Sequence, residues 1–427
     1  MDSRDIVLNI LMDIETKNTF SNTAIAKALS KVQFEDKQGR AFITRLAEGV
    51  MERIITLDYV INQFSKTKIN KCKPLIRCLL RMGTYQILFM EGVPDSAACN
   101  ESVKLAKKHG FGSLSGFVNG VLRNIARNKD DIFEPSGDKN DVTYSSVKYS
   151  IPEWLCKKLK NDYPDKYIKI LEGCFWDRDT SIRVNTTKIS RDELKKLISD
   201  AGINAEYGYY DDKALLIRDY DFIKKIPGYK QGYFSVQDES SMCAIRAAEI
   251  KPGHNVIDVC AAPGGKTTCV AEYLQNAGMI HSMDISEDKL ELIEENVNRL
   301  GFDNVEISCH DATVPINGIE ADVVIADLPC SGLGIIGRKN DIKYRLNEEQ
   351  INELCVLQRS ILDVVSGYVV SGGTLLYSTC TINPDENQGN VKWFLEKHRE
   401  FKLKEDRLFL QGIDNCDGFY YAVMIKS

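Results

Sequence analysis

The chain has 427 residues, 43% hydrophobic and 27% charged, with a formal charge of −6, the composition of a water-soluble globular protein with two or three domains. Its apolar runs stay below the ~18 residues of a membrane span, and its first residues, MDSRDIVLNILMDIETKN, carry acids where a secretory signal carries lysines, so a cytoplasmic protein without membrane contact is expected. Thirteen cysteines without close CxxC pairs read as mostly free thiols in a reducing compartment, and five histidines without HxxxH or HxH spacing argue against a metal site.

The net charge hides a split. Residues 1–128 hold 19 Lys and Arg against 12 Asp and Glu, a balance of +7, and the remainder carries −13. Such an asymmetry permits a basic front end that meets phosphate, although a helical domain with solvated lysines gives the same numbers.

Residues 1–128 read as helix throughout. Ile6, Ile10 and Ile14, with Val7 and Leu11 beside them, form one apolar stripe. AFITRLAEGVMERIITLDYVINQFS and PLIRCLLRMGTYQILFM repeat the pattern, the second opened by Pro74. VPDSAACNESVKLAKKHG is capped by Asp95 or Ser96 and stopped at Gly110, and GFVNGVLRNIARN follows. This is an all-α helical bundle. Residues 129–150 are polar, with Pro and Gly, and read as a linker.

Residues 151–225 read as a small α+β subdomain: one or two helices, a strand at TSIRVNTTK, a helix at RDELKKLISDAG and a strand at ALLIRDY. From 226 to 427 strand and helix alternate. NVIDVCAA, MIHSMDI, VEISCHD, ADVVIADLP and GGTLLYST are apolar runs of buried-strand length separated by helical segments, the pattern of an α/β doubly wound, Rossmann-like parallel sheet.

The chemistry concentrates in that last part. CAAPGGK, residues 260–266, is a glycine turn between strand and helix, and ligands of such sheets bind at the carboxyl ends of the strands. Gly264 and Gly265 allow close backbone approach, and the helix start favours a negative group, phosphate or carboxylate. The spacing is neither GxGxxG nor a P-loop, and a purely structural turn stays open. Asp284, Asp311 and Asp327 each end a strand. Together they outline a cleft for a nucleoside, with Asp284 on the ribose hydroxyls and Asp311 facing an adenine. S-adenosylmethionine fits such a cleft. Two thiols, Cys330 in ADLPCSG and Cys380 in STCTINPDEN, stand at two strand-to-loop exits.

CAAPGGKT, DLPCSGLG and STCTINPDEN together resemble the RNA cytosine-C5 methyltransferases, which carry one cysteine in a Pro-Cys and one in a Thr-Cys motif. LLRMGTYQILFMEGVPDSAACNESVKLAKKHG and GFVNGVLRNI resemble the helical RNA-binding domain of NusB, making 1–128 a NusB-like domain. SIRVNTTK and GYFSVQDESS are similar to segments that precede the catalytic domain in the RsmB (Sun) enzymes of 16S ribosomal RNA. Leu328, where alanine is usual, and Asn340, where proline is common, are small departures.

The resemblance implies an S-adenosylmethionine-dependent enzyme methylating a cytidine of small-subunit ribosomal RNA, as a monomer without metal. It implies Cys380 as nucleophile on cytosine C6 and Cys330 as the group assisting release. The DNA-type arrangement, with the Pro-Cys cysteine as nucleophile, stays open beside it. Cys260, Ala261, Ala262, Pro263, Gly264, Gly265, Lys266, Asp284, Asp311 and Asp327 form the expected cofactor site. Asp327 is also a candidate for the ring N3, and Lys266 for tuning a thiol or orienting the base, unless it is a solvated residue at the helix start.

Arg183 and Asn185 are candidate RNA contacts, unless they belong to a plain strand pair. Lys71, Lys73, Arg77 and Arg81, read as one early helix, are candidate phosphate contacts. The competing readings are an ATP- or NAD-binding α/β protein, which leaves both cysteines unexplained, a non-catalytic RNA-binding scaffold, and a cytosine methyltransferase acting on another RNA.

Overall fold

Helix periodicity in the first third becomes seven α-helices between Ser3 and Arg127 in a computed structural model, which describes residues 2–31, 37–132, 135, 138 and 141–427. The expected 41–65 helix is two, Lys37–Glu52 and Ile54–Phe64, separated at Arg53. The β-branched run Ile54-Ile55-Thr56 follows the break, where helix propensity is weakest. Pro74 does open its helix, Pro74–Phe89. The helix Asp95–Lys108 has Pro94 at its cap position instead of Asp95 or Ser96.

Val7, Leu8, Leu46, Leu79, Leu80 and Leu122 are fully buried in the helical core, each worth about 1.5–3 kcal/mol relative to exposure. Helices approach closely where glycine permits: a Cβ on Gly49 would lie about 2.0 Å from the Tyr85 ring. Part of the expected 129–150 linker lies outside the described residues. Val142–Tyr149 is a helix, capped by Asp141 on the N–H groups of Thr143 and Tyr144.

The chain groups into two units, Met1–Glu172 with Ile336–Arg345, and Gly173–Ile335 with Leu346–Ser427. The short segment joins the helices through specific bonds. Asp341 accepts from the Ser21 N–H and hydroxyl at 3.1 and 2.9 Å, and the buried Lys343 donates to the Glu52 carbonyl at 2.8 Å.

In the second unit, β1 (Thr180–Val184), β2 (Asn204–Tyr207), β3 (Ala214–Arg218) and β4 (Phe234–Val236) form an antiparallel sheet of order β2-β3-β1-β4. The larger sheet contains β5 (Asn255–Asp258), β6 (Met279–Asp284), β7 (Val305–Cys309), β8 (Ala321–Asp327), β9 (Val369–Thr379), β10 (Phe401–Phe409) and β11 (Phe419–Lys426). Its order is β10-β11-β9-β8-β5-β6-β7.

Strands β5 to β9 are parallel, as the alternation of strand and helix predicts, but β11 runs antiparallel to both β9 and β10. The sheet is therefore mixed. Burial alternates with period two: Val323 and Ile325 enter one core, Val324 and Ala326 the other. Helices Gly265–Leu274 and Glu287–Leu300 cover the first face, Glu348–Val365 and Gln388–Lys397 the second. The order reverses between β5 and β8, which opens a crevice at their carboxyl ends.

Candidate active site

A cavity of about 310 Å³ lies at that crevice, lined by Cys260, Ala262, Asp284, Asp311, Asp327 and both Cys330 and Cys380, among others. Its size falls in the range of small-ligand sites. Asp284 and Asp327 are the last residues of β6 and β8, and Cys380 follows β9 directly. Asp311 lies two residues past β7, its Oδ1 accepting from the N–H and hydroxyl of Thr313. That backbone hydrogen bond, with the hydroxyl's, holds its pKa below the usual carboxylate value.

The glycine turn sits behind this cavity. Of residues 260–266 only Cys260 and Ala262 line it. Gly264 has φ +93°, and a Cβ there would meet the Ile293 backbone at 3.2 Å, so helix packing and a left-handed turn require this glycine. The side of Gly265 where a Cβ would stand is open, at the first residue of its helix. Asp284 Oδ2 accepts from the Ala262 N–H at 3.2 Å and ties turn to strand. Burial, then the charges of Asp258 and Asp284, push the Cys260 thiol up to about 12, so it is a packing thiol at neutral pH.

Lys266 is not a solvated residue at the helix start. Its Nζ bonds Asp327 Oδ2 at 2.5 Å, with its side chain only 11% exposed. Ser378 Oγ donates to Asp327 Oδ1 at 2.7 Å. Asp327 is thus fixed from two sides beside the thiols.

The two cysteines, 50 residues apart in sequence, meet with their Sγ atoms 3.3 Å apart. Adjacent parallel strands bring them together, since β8 pairs with β9 up to Asp327 and Ser378. The hydrogen bond with Cys380, followed by burial and by the charges of Cys380 and Glu386, holds the Cys330 thiol well above its ordinary pKa.

Two residues were missed. Asp258 ends β5 fully buried, accepts from Thr267 Oγ1 at 2.8 Å, and has no partner for Oδ1 among the described residues. Burial raises its pKa to about 7. Its position in VIDVCAAPGG was a signal of the same kind as the other strand-end aspartates. Glu386, fully buried, receives hydrogen bonds from Ser331, Gln358 and Asn383. Its partners on Ser331 and Gln358 lie far along the chain, and no local spacing announces them.

The candidate RNA contacts are largely corrected. Arg183 is fully buried, donating to Glu272 Oε1 at 2.8 Å, the Gly265 carbonyl at 3.0 Å, Thr268 Oγ1 at 3.1 Å and Gln237 Oε1. Asn185, also buried, donates to the carbonyls of Gly232 and Leu300. Both brace the catalytic unit from β1 and its exit, because a buried polar group must be satisfied internally. Arg77 and Arg81 pair with Glu15, and Arg81 also grips Asp58 through two bonds at 2.7 and 2.8 Å. Only these two lie in the helix Pro74–Phe89. Lys71 is in a 3₁₀ turn, Lys73 caps the helix, and both lysines are exposed.

Known proteins resemble this chain over its whole length. Residues 246–424 match the family model described as 16S rRNA methyltransferase RsmB/F, residues 1–127 the NusB family, and 151–220 the RsmF/B-like ferredoxin-like domain. The "probable ribosomal RNA small subunit methyltransferase B" of Bacillus subtilis is 35% identical, covering 99% of this chain and 98% of that protein. The crystal structure of PH0851 superposes with a TM-score of 0.84 at 27% identity, over 100% of this chain and 99% of the other. The structure of NSun6 from Pyrococcus horikoshii with SFG, an analogue of S-adenosylmethionine, superposes with a TM-score of 0.60 at 25% identity, over 64% of this chain and 98% of that one. With relatives of this identity and coverage, the chain belongs to the ribosomal RNA small subunit methyltransferase B family.

Proposed function

We propose that the protein methylates C5 of a cytidine in small-subunit ribosomal RNA, through a covalent adduct of Cys380 at cytosine C6. The observation that carries this reading is the pair of thiols 3.3 Å apart on the wall of a cavity whose other wall is a nucleoside-type acidic strand end. Bound S-adenosylmethionine supplies an electrophilic methyl group on a sulfonium.

The residues present fit that cofactor. Asp284 would take the ribose hydroxyls and Asp311 the adenine side. Ala262 of the glycine turn lines the same cavity, and the open side of Gly265 at its helix start suits a carboxylate.

Cytosine C5 is too weak a nucleophile to take a methyl group unaided. Attack of the Cys380 thiolate on C6 forms a C–S bond and moves the ring's electron pair toward C5. C5 can then form the new C–C bond as the methyl–sulfonium bond breaks and its electron pair leaves on the donor sulfur as a neutral thioether. Asp327, oriented by Lys266 and Ser378, is placed to hydrogen-bond the ring at N3. Afterwards water takes the C5 proton, the C5–C6 double bond re-forms and the Cys380 sulfur is expelled as thiolate. Cys330, with its Sγ 3.3 Å from that of Cys380, serves this release by hydrogen-bonding the departing sulfur. The cytosine must be out of its stack to be reached. The NusB-like helices, with Lys71 and Lys73 exposed, are assigned to holding the RNA.

One gel tests the scheme, using labelled methyl donor and a small-subunit ribosomal RNA fragment. Cys380→Ala should form no denaturant-resistant RNA–protein species, and Cys330→Ala should accumulate one carrying label. The double variant should abolish it. Trapping by Cys380→Ala would reverse the roles. Unchanged bisulfite maps of ribosomal RNA from cells lacking the gene would refute the C5 assignment.

A further inference from the structure

The two cysteine loops are joined by more than adjacent strands. Glu386 lies just before the helix Gln388–Lys397, where an acid usually serves the helix start. Its carboxylate points elsewhere. Oε1 accepts from the Ser331 N–H at 2.8 Å and from Gln358 Nε2 at 3.0 Å; Oε2 accepts from Asn383 Nδ2 at 2.9 Å and from the Ser331 hydroxyl. Gln358 Nε2 also donates to the Pro329 carbonyl at 2.8 Å. Asn390 fixes Gln358 by donating to its Oε1 at 2.7 Å. The main-chain carbonyl of Glu386 is held by Tyr377 and Asn390.

These bonds converge on the neighbours of both thiols. Pro329 and Ser331 flank Cys330. Thr381 follows Cys380, and its hydroxyl lies 2.7 Å from that of Ser331. A buried carboxylate is tolerated only when donors surround it, and here donors from one loop, one helix and the other loop do so. We infer that Glu386 is a positioning residue of the methyl-transfer reaction, a buried clamp that holds the Pro-Cys and Thr-Cys loops so that Cys330 stays in register with Cys380.

This rests on the cytosine reading for its effect on catalysis, while the clamp itself is readable without RNA. Glu386→Gln places an amide N–H₂ against groups that are themselves donors, so the Ser331 N–H, Gln358 and Asn383 cannot all be satisfied. A loop shift on the order of 1 Å costs about 100-fold in rate. For Glu386→Gln the expected result is therefore a kcat about 100-fold lower, with the KM for the RNA fragment and the Kd for S-adenosylmethionine within about threefold.

The second readout is iodoacetamide labelling of cofactor-free protein, followed by mass spectrometry. Cys330 should label about tenfold faster in the variant, as its loop opens. Cys269, buried in the helix Gly265–Leu274, should stay protected in both proteins. Cys330 labelling at the wild-type rate overturns the clamp, and so does Cys269 opening in parallel, which would mean a general loss of fold. If the wild-type protein methylates no cytosine while Cys330 still opens selectively, the reaction assignment fails and the clamp stands. Should Glu386→Gln not fold, Ser331→Ala is the gentler change: it removes the hydroxyl bonded to Glu386 Oε2 and Thr381 and keeps the N–H bond to Oε1. It should raise Cys330 labelling in the same selective way, and equal labelling of wild type and Ser331→Ala would then overturn the inference.

Discussion

Replacing Arg183 by methionine tests how the small antiparallel sheet supports the catalytic unit. The guanidinium is fully buried and bonded to Glu272, Gln237, Thr268 and the Gly265 carbonyl, and the Glu272 side chain is itself 0% exposed. Methionine keeps an unbranched apolar stem in place of the guanidinium but leaves Glu272 with only Lys213 among the described residues, at 3.4 Å. Stranding one partner of a buried pair costs about 3–5 kcal/mol. With a slope of about 2–3 kcal/mol per molar urea, the unfolding midpoint should fall by roughly 1–2.5 M, read by tryptophan fluorescence. Affinity for S-adenosylmethionine should also fall, because the Gly265 carbonyl at the cofactor turn loses its anchor. The double variant Arg183→Met, Glu272→Leu removes both charges and should recover most of the loss, since an apolar pair of similar volume is tolerated. A loss below about 1 kcal/mol in the single variant, or a double variant less stable than the single, would refute the reasoning.

Asp284→Ala should weaken S-adenosylmethionine binding by about 1.5–3 kcal/mol, the range for a hydrogen bond to a charged group, and unchanged affinity by calorimetry would place the ribose elsewhere. Asp258, raised by burial from 3.8 to about 7, binds more protons folded than unfolded between those values. Stability of the cofactor-free protein should therefore fall as pH rises through that window, by on the order of 4 kcal/mol in total. The neutral Asp258→Asn should flatten that decline, and equal slopes in thermal unfolding across about pH 4 to 7 would count against a buried Asp258 acid.

What could be read from the sequence is local. Helix stripes such as Ile6, Ile10 and Ile14 need only neighbours one turn away, and strand runs such as ADVVIAD need only their own length. Strand-end aspartates, the glycine turn and the two cysteines fall at loops whose place in a doubly wound sheet follows from the order of elements. Asp284, Asp327, Cys330 and Cys380 accordingly line one cavity.

Other features depend on residues far apart in the chain. KLKEDRLF in β10 carries too many charges to read as a strand, yet it forms the edge of the sheet with six successive residues exposed, Lys402 to Arg407. Arg183 looked like an RNA contact because an arginine on a short strand is ordinarily exposed. Only the fold surrounds it with Glu272, Gln237 and Thr268, which satisfy its donors out of reach of water. Arg77 and Arg81 are taken up by Glu15 and Asp58 across a helix packing that periodicity does not specify. The Glu386 clamp and the 3.3 Å thiol pair arise likewise from strand order and long-range desolvation. Local patterning decides which residues are buried, and tertiary packing decides which polar partners they must find there.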